Sequence, residues 1–551
     1  MKSLIKKNWP NILPEKLNYR LGEKPLHEYL ANNAKEIPGQ TAYIFYGNNI
    51  TWSELNENVD RFASFLKSKG VIKGDRIALY MQNCPQYIIG HYAIQKLGAT
   101  VVPLNPMYKE AELEYLINEA SIKAIFLEQK LYTRVKNIRE KIPSLEFVVT
   151  TNYADYLPEE PNMPLPDELK VNKQKIPNVY DFFEILVSYP ELNETAEIDL
   201  WEDIGLLVFT SGTTGRPKAA MLTYGNALFK TASTSQIKGY KIETNTTATS
   251  PLCHIAGMLM GVNIPVYSRC KTVLFTRFDP EAAITAVERY KINSWYTVAT
   301  MNVAILNHPG IENRDLTSLK TNYATSFGMP VNKQLAEDWA KLTGGCVLTE
   351  SSYGLSETHT ADTFMPLNKI KFGTCGIPVY DTSIRIVDFE TGQDLPPGEQ
   401  GEIAVKNPGV FKGYLNRPDA TEETLRDGWV FTGDIGVIDE DGYLSFKGRI
   451  KEMIKSSGYS VFPEDVEILI KDHEAILQVA AVGVPHMTKG EIVKTFIVLK
   501  PEYKGKITED EIIEWAREKM SAYKYPREVE FRNTLPATNS GKVLRRLLVE
   551  E

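Results

Sequence analysis

The chain runs to 551 residues with 43% hydrophobic and 24% charged content, the balance of an ordinary soluble globular protein but longer than one core usually organises. Length alone suggests roughly three or four domain-sized units. A formal net charge of −8 argues against nonspecific nucleic-acid binding, and five scattered cysteines (Cys84, Cys253, Cys270, Cys346, Cys375) with no Cys-x-x-Cys pair argue against a disulfide framework or a zinc cluster and fit a reducing cytoplasm.

The first ten residues lack the long apolar core of a signal peptide, and no later apolar run reaches spanning length. No transmembrane segment is expected. Peripheral membrane contact stays open, as does the oligomeric state, a homodimer included. Residues 76–81 read as a strand, 85–96 as a helix stopped by Gly98, and 100–102 as a second strand, a βαβ pattern. Similar alternation recurs to about residue 345 and predicts parallel sheets covered by helices. Five prolines between 155 and 177 predict a surface connection there.

After that connection an apolar run, 204–209, leads into Thr210-Ser211-Gly212-Thr213-Thr214-Gly215-Arg216-Pro217-Lys218. Glycines let backbone approach an anion, hydroxyls and free N–H groups donate to phosphate oxygens, and Lys218 adds a mobile cation. The stretch departs from the P-loop pattern, because Arg216-Pro217 intervene and Ala219 follows Lys218, so kinase and GTPase readings lose weight. By composition alone it would be a Ser/Thr/Gly loop between a strand and a helix.

Beyond residue 380 short β runs alternate with turns such as Pro397-Gly398, Asp427-Gly428 and Asp441-Gly442, predicting a β-rich subdomain. From 462 the pattern becomes helix (463–471), strand (479–484), strand (493–499), helix (508–520) and strand (528–531), enough for a compact α+β unit.

Five further motifs stand in fixed order: Ile50-Thr51-Trp52-Ser53-Glu54-Leu55, Lys96-Leu97-Gly98-Ala99-Thr100-Val101-Val102-Pro103-Leu104, Tyr353-Gly354-Leu355-Ser356-Glu357-Thr358, Phe431-Thr432-Gly433-Asp434 and Pro536-Ala537-Thr538-Asn539-Ser540-Gly541-Lys542. With the phosphate loop, and over nearly the whole chain, they resemble the adenylate-forming superfamily of acyl-CoA synthetases, peptide-synthetase adenylation domains and luciferases. The resemblance implies an α/β fold: a large multi-lobed N-terminal adenylation domain (1–448) with parallel, helix-covered sheets and the β-rich subdomain, and a small mobile α+β C-terminal domain (449–551) hinged near Lys451.

It also assigns roles. Thr210, Ser211, Gly212, Thr213, Thr214, Gly215 and Lys218 would cradle ATP phosphates, and Tyr353, followed by Gly354, would stack on adenine. Ser356 stands where the family often has threonine. Glu357 is the expected magnesium ligand, since Mg²⁺ usually takes only one or two protein carboxylates. Asp434 and Arg449 would clamp the ribose, and Lys542 would reach the substrate carboxylate and the α-phosphate, where a cation stabilises two anions forced together. Lys542, Glu357 and Lys218 are the expected catalytic groups.

The acyl pocket would draw on the stretch 251–258. His254 lies where peptide-synthetase domains generally place the aspartate that holds an amino acid's ammonium, so amino-acid substrates are disfavoured. Met258, with Leu259 and Met260, suits a hydrocarbon chain. In the wall motif Ser326-Phe327-Gly328-Met329-Pro330, Phe327 and Met329 replace residues that are usually small, which leaves pocket depth open beside Gly328. Lys451, Lys455, Ser457 and Gly458 belong to the acyl-CoA synthetase form of the hinge motif, with Gly458 giving room for pantetheine; an exposed helical lysine is the plainer reading of Lys455. The expected activity is AMP-forming ligation of a medium- or long-chain fatty acid to CoA with Mg²⁺ and ATP. The competing expectations are an aryl- or short-chain-acid CoA ligase and a non-catalytic nucleotide-binding regulator.

Overall fold

The structure is a computed structural model that describes residues 8–210, 217–326, 329–456, 459–461, 463–486, 490–520, 524–537 and 543–549. The expected βαβ unit is present: strand Arg76–Tyr80, helix Pro85–Lys96 with Pro85 in its first turn, and strand Thr100–Leu104. Gly98 at φ +68° supplies the left-handed turn that ends the helix. The earlier motif around Thr51 is a helix start. The Thr51 hydroxyl accepts from the Glu54 N–H at 3.2 Å while the Glu54 carboxylate accepts from the Thr51 N–H at 2.8 Å, opening helix Trp52–Ser68.

These elements belong to a seven-stranded sheet of order Tyr180–Asp181, Phe147–Thr151, Ala124–Glu128, Arg76–Tyr80, Thr100–Leu104, Ile204–Thr210, Lys218–Thr223. All neighbours are parallel except the last pair, which is antiparallel with Thr210 opposite Lys218. The phosphate loop therefore joins two strands of a hairpin, correcting the strand-to-helix reading. A four-stranded sheet (Asn245–Ala248, Lys271–Leu274, Thr41–Phe45, Asn48–Thr51) likewise ends on an antiparallel pair, whereas the sheet Ser294–Val298, Thr321–Thr325, Val347–Glu350 is parallel throughout. The proline-rich connection is less superficial than expected: it holds a 3-10 turn, Asp167–Lys170, and buries Met163 and Leu169.

The β-rich subdomain is an antiparallel sheet in which the long strand Trp429–Ile438 pairs with Gln400–Lys406, Leu425–Arg426 and Leu444–Arg449. The last hundred residues fold about a separate core that includes Val466, Ile470, Ile497, Ile512 and Ala516, under a sheet of Tyr459–Val461, Ile454–Ser456, Gly490–Leu499, Ile476–His486 and Glu528–Phe531. Lys455 lies on a strand of that sheet, Ile454–Ser456, and not on a helix. Among the described residues no helix is long and apolar enough to cross a membrane.

Candidate active site

The phosphate loop is bracketed by Thr210 and Lys218, directly paired across the hairpin; Ser211, Gly212, Thr213, Thr214 and Gly215 lie outside the described residues. Alongside the Lys218–Thr223 strand runs the segment 411–415. The Lys412 and Leu415 N–H groups donate to the Met221 and Ala219 carbonyls at 2.9 Å, the Met221 N–H donates to Gly413 at 2.9 Å, and Tyr414 bridges Ala220. This strap delivers Tyr414, whose ring centroid is 4.5 Å from the Lys218 ammonium and whose hydroxyl donates to Glu357 Oε1 at 2.6 Å. Burial, then the Glu357 charge, push the Tyr414 hydroxyl well above the usual phenol range. Tyr414 thus joins two expected catalytic groups. Sequence reasoning missed it, since no motif surrounds it and only the pairing of the strap with the hairpin brings it in.

Glu357 sits in the 3-10 turn Ser356–Thr358 and is 8% exposed. Just before it, Tyr353 is buried, donates its hydroxyl to Asp434 Oδ2 at 2.8 Å and stacks on Phe446 with centroids 6.3 Å apart. Asp434 and Arg449 face each other across neighbouring antiparallel strands, with Arg449 Nε 2.9 Å from Asp434 Oδ1. Burial works most strongly against the Arg449 charge, but Asp434, Tyr353, Glu452 and Glu357 together outweigh it and leave the guanidinium above its ordinary value. Tyr353, Asp434 and Arg449, spread over 97 positions of sequence, form one connected group. Gly354 is required beside it: a Cβ there would come within 2.5 Å of the Ala361 backbone nitrogen.

His254 is exposed at the start of the short helix Ile255–Met258. Gly257 packs so closely that a Cβ would meet the Pro251 carbonyl oxygen at 2.0 Å. Met258 is sunk in the main core, whereas Leu259 and Met260 open a π-helical turn, Leu259–Asn263, and pack with Tyr240, Tyr296 and Tyr323 in a cluster of their own. Gly328 and Phe327 lie outside the described residues, as do Ser457, Gly458 and Lys542; Lys451 occupies the 3-10 turn Ile450–Glu452.

The wall motif is anchored at Ser326. Its N–H and hydroxyl both donate to buried Glu350, the N–H at 3.3 Å. Burial raises the Glu350 carboxyl to about 7, against the opposing pull of Ser326 and the Lys238 ammonium. Between about 4.5, its ordinary value, and about 7 the folded chain holds a proton that the unfolded chain has released, so this carboxyl makes stability fall as pH rises through that window. Glu350→Gln is expected to flatten the decline in Tm between those pH values relative to wild type; matching slopes in a calorimetric series would remove Glu350 as its source.

Comparison with known proteins bears on what this geometry serves. The AMP-binding enzyme family model matches residues 30–415, and the model of the AMP-binding enzyme C-terminal domain matches residues 465–542. The chain belongs to the AMP-binding enzyme family. It is 36% identical to a long-chain-fatty-acid–CoA ligase of Bacillus subtilis (strain 168), over 98% of this chain and 97% of that protein. A second long-chain-fatty-acid–CoA ligase, from Salmonella typhimurium, is 34% identical over 99% and 98%. Among solved structures, an anthranilate CoA ligase in complex with anthranoyl-AMP superposes with a TM-score of 0.83 at 25% identity, covering 97% of each chain. These likenesses carry the adenylate-forming superfamily assignment and the α/β architecture with a separate C-terminal domain.

Proposed function

We propose that this enzyme is an AMP-forming ligase that activates a medium- or long-chain fatty acid with ATP and transfers the acyl group to CoA, acting in the cytoplasm. The observation that carries the reading is the contact chain Lys218–Tyr414–Glu357 standing beside the linked Tyr353, Asp434 and Arg449. On this reading it would bring phosphate, metal and ribose chemistry together. The two fatty-acid ligase relatives support the choice of acid.

In the first half-reaction a carboxylate oxygen attacks the α-phosphorus of ATP, forming the acyl-phosphate anhydride bond as pyrophosphate leaves. Lys218 and the hairpin loop hold the phosphates, Asp434 accepts from the ribose hydroxyls with Arg449 donating beside it, and Lys542 stabilises charge between carboxylate and phosphate. Tyr353 offers its ring to adenine while its hydroxyl stays fixed on Asp434. Among the described residues no group of three or more His, Cys, Asp or Glu forms a metal cage. A single buried carboxylate nevertheless fits magnesium, which keeps waters and phosphate oxygens in most of its positions. Glu357 would hold it, with Ser356 hydroxyl near the phosphates, and the bound ion neutralises phosphate charge.

In the second half-reaction the domain 449–551 turns about Lys451, withdrawing Lys542 and presenting Lys455, Ser457 and Gly458 so that the CoA thiol attacks the acyl carbonyl and AMP leaves. His254, Met258 and Gly328 contribute to acyl selection. The test is ATP–pyrophosphate exchange and acyl-CoA formation against acids of increasing length and aromaticity. Turnover rising toward medium and long chains is expected; no adenylate and no thioester with any of them sinks the reading. One observation favours a second one: Tyr240, Tyr296 and Tyr323 give the cluster around Leu259 and Met260 flat faces suited to an aryl acid, and a preference for benzoate-type acids would select it.

A further inference from the structure

Lys230 and Asp362 form an ion pair that the scheme above does not use. Both side chains are wholly buried, with Lys230 Nζ 2.6 Å from Asp362 Oδ1. The ammonium also donates to the Ala361 carbonyl at 3.3 Å. Asn407 Nδ2 donates to Asp362 Oδ1 at 2.8 Å, and the Thr358 hydroxyl donates to the other carboxylate oxygen. The fit is close: a Cβ on Gly409 would stand 2.4 Å from Lys230 Cε.

Buried ion pairs are weak contributors to stability, because desolvation offsets their attraction and apolar replacements of equal volume often fold as well. What this pair joins is therefore the informative point. Lys230 lies on helix Tyr224–Lys238, which continues directly from the hairpin strand Lys218–Thr223. Asp362 ends the loop that begins at Glu357, and its N–H donates to the Tyr353 carbonyl at 2.7 Å. Between Glu357 and Asp362, three consecutive non-glycine residues hold left-handed backbone: His359 at φ +55°, Thr360 at +58° and Ala361 at +48°. Such a run persists only where its surroundings over-determine it. Here the determinants include the Thr358 hydroxyl and Lys230, which converge on Asp362, together with the His359 and Thr360 N–H groups, which donate to the Ser356 and Leu355 carbonyls.

We propose that Lys230 is a positioning residue: through Asp362 it holds the strained 357–362 loop, and with it Glu357 and Tyr353, in register with the phosphate hairpin. The inference rests on the nucleotide site proposed above. Its test compares Lys230→Met with the double variant Lys230→Met/Asp362→Asn. The single variant strands a buried carboxylate and is expected to lower Tm. The double variant removes both charges at similar volume and is expected to recover Tm to near wild type, yet to keep a rate of fatty-acid-dependent pyrophosphate exchange at least tenfold below it. Thioester formation from supplied acyl-adenylate, which needs no polyphosphate cradle or magnesium, should fall by less than pyrophosphate exchange does. Exchange that recovers together with Tm overturns the proposal, since the pair would then serve folding alone.

Should the double variant not fold, Thr358→Val removes one hydrogen bond to Asp362 without stranding a charge. A several-fold loss of exchange is expected in protein that remains folded at the assay temperature, and an unchanged rate overturns the proposal. Wild-type protein that exchanges with no acid tried would defeat the functional reading instead. Calorimetric titration with ATP then decides on the strut: at least fivefold weaker binding by the double variant supports it, and equal binding overturns it.

Discussion

Lys542→Ala is expected to reduce fatty-acid-dependent pyrophosphate exchange by roughly 10²–10³-fold, the scale seen when one preorganised donor to a developing oxyanion is removed, while thioester formation from supplied acyl-adenylate survives. The split follows from chemistry. Only the first half-reaction brings a carboxylate against a phosphate, so only there does a cation between them lower the barrier. The described residues around this lysine are firmly tied: Ala537 bridges Val543, the Leu544 N–H donates to the Pro536 carbonyl at 2.8 Å, and Arg545 makes ion pairs with Glu452, Glu464 and Glu467. Arg545 thereby couples the chain just after Lys542 to the turn at Lys451 and to helix Pro463–Lys471. Single-turnover measurement of both half-reactions checks the prediction, and equal losses in the two would withdraw the role.

The second large effect is expected at Glu357. Glu357→Gln keeps the size of the side chain but removes the charge that would hold magnesium, and the exchange rate is expected to fall by roughly 10²-fold, the lower part of the range for losing one electrostatic contact in a site. Tyr414→Phe keeps Glu357 and deletes only the 2.6 Å hydrogen bond. Loss of one hydrogen bond to a charged group corresponds to about 1.5–3 kcal/mol, or roughly a 10- to 150-fold drop. Raising magnesium should partly rescue Tyr414→Phe and leave Glu357→Gln unmoved. Rescue of both, or of neither, would separate Tyr414 from the carboxylate it contacts.

How much of this was legible depended on whether a signal is local. Helix Pro85–Lys96 was readable to the residue because Pro85 opens it and Gly98 closes it. Helix Pro463–Lys471 and strand Glu528–Phe531 came out equally well. The Lys218–Thr223 stretch did not: Ala219, Ala220, Met221 and Leu222 favour helix by propensity, and pairing with Ile204–Thr210 overrides that preference. Asp434 and Arg449 could be joined beforehand only through the resemblance; the register of two antiparallel strands is what sets fifteen positions face to face. Tyr414, Lys230 and Asp362 carried no local signature. Each acquires its role from partners more than fifty positions away, through contacts that only the folded chain creates.

The strap 411–415 has one more consequence. The strand it lies against stands at the rim of the seven-stranded sheet, where unsatisfied backbone groups would otherwise invite a neighbouring molecule to add a strand. Delivery of Tyr414 to Glu357 and protection against clumping are thus entrusted to the same five residues. Substitutions that loosen them, such as proline at Leu415, should produce protein that precipitates on concentration as well as protein that works poorly, with light scattering rising in step with lost turnover.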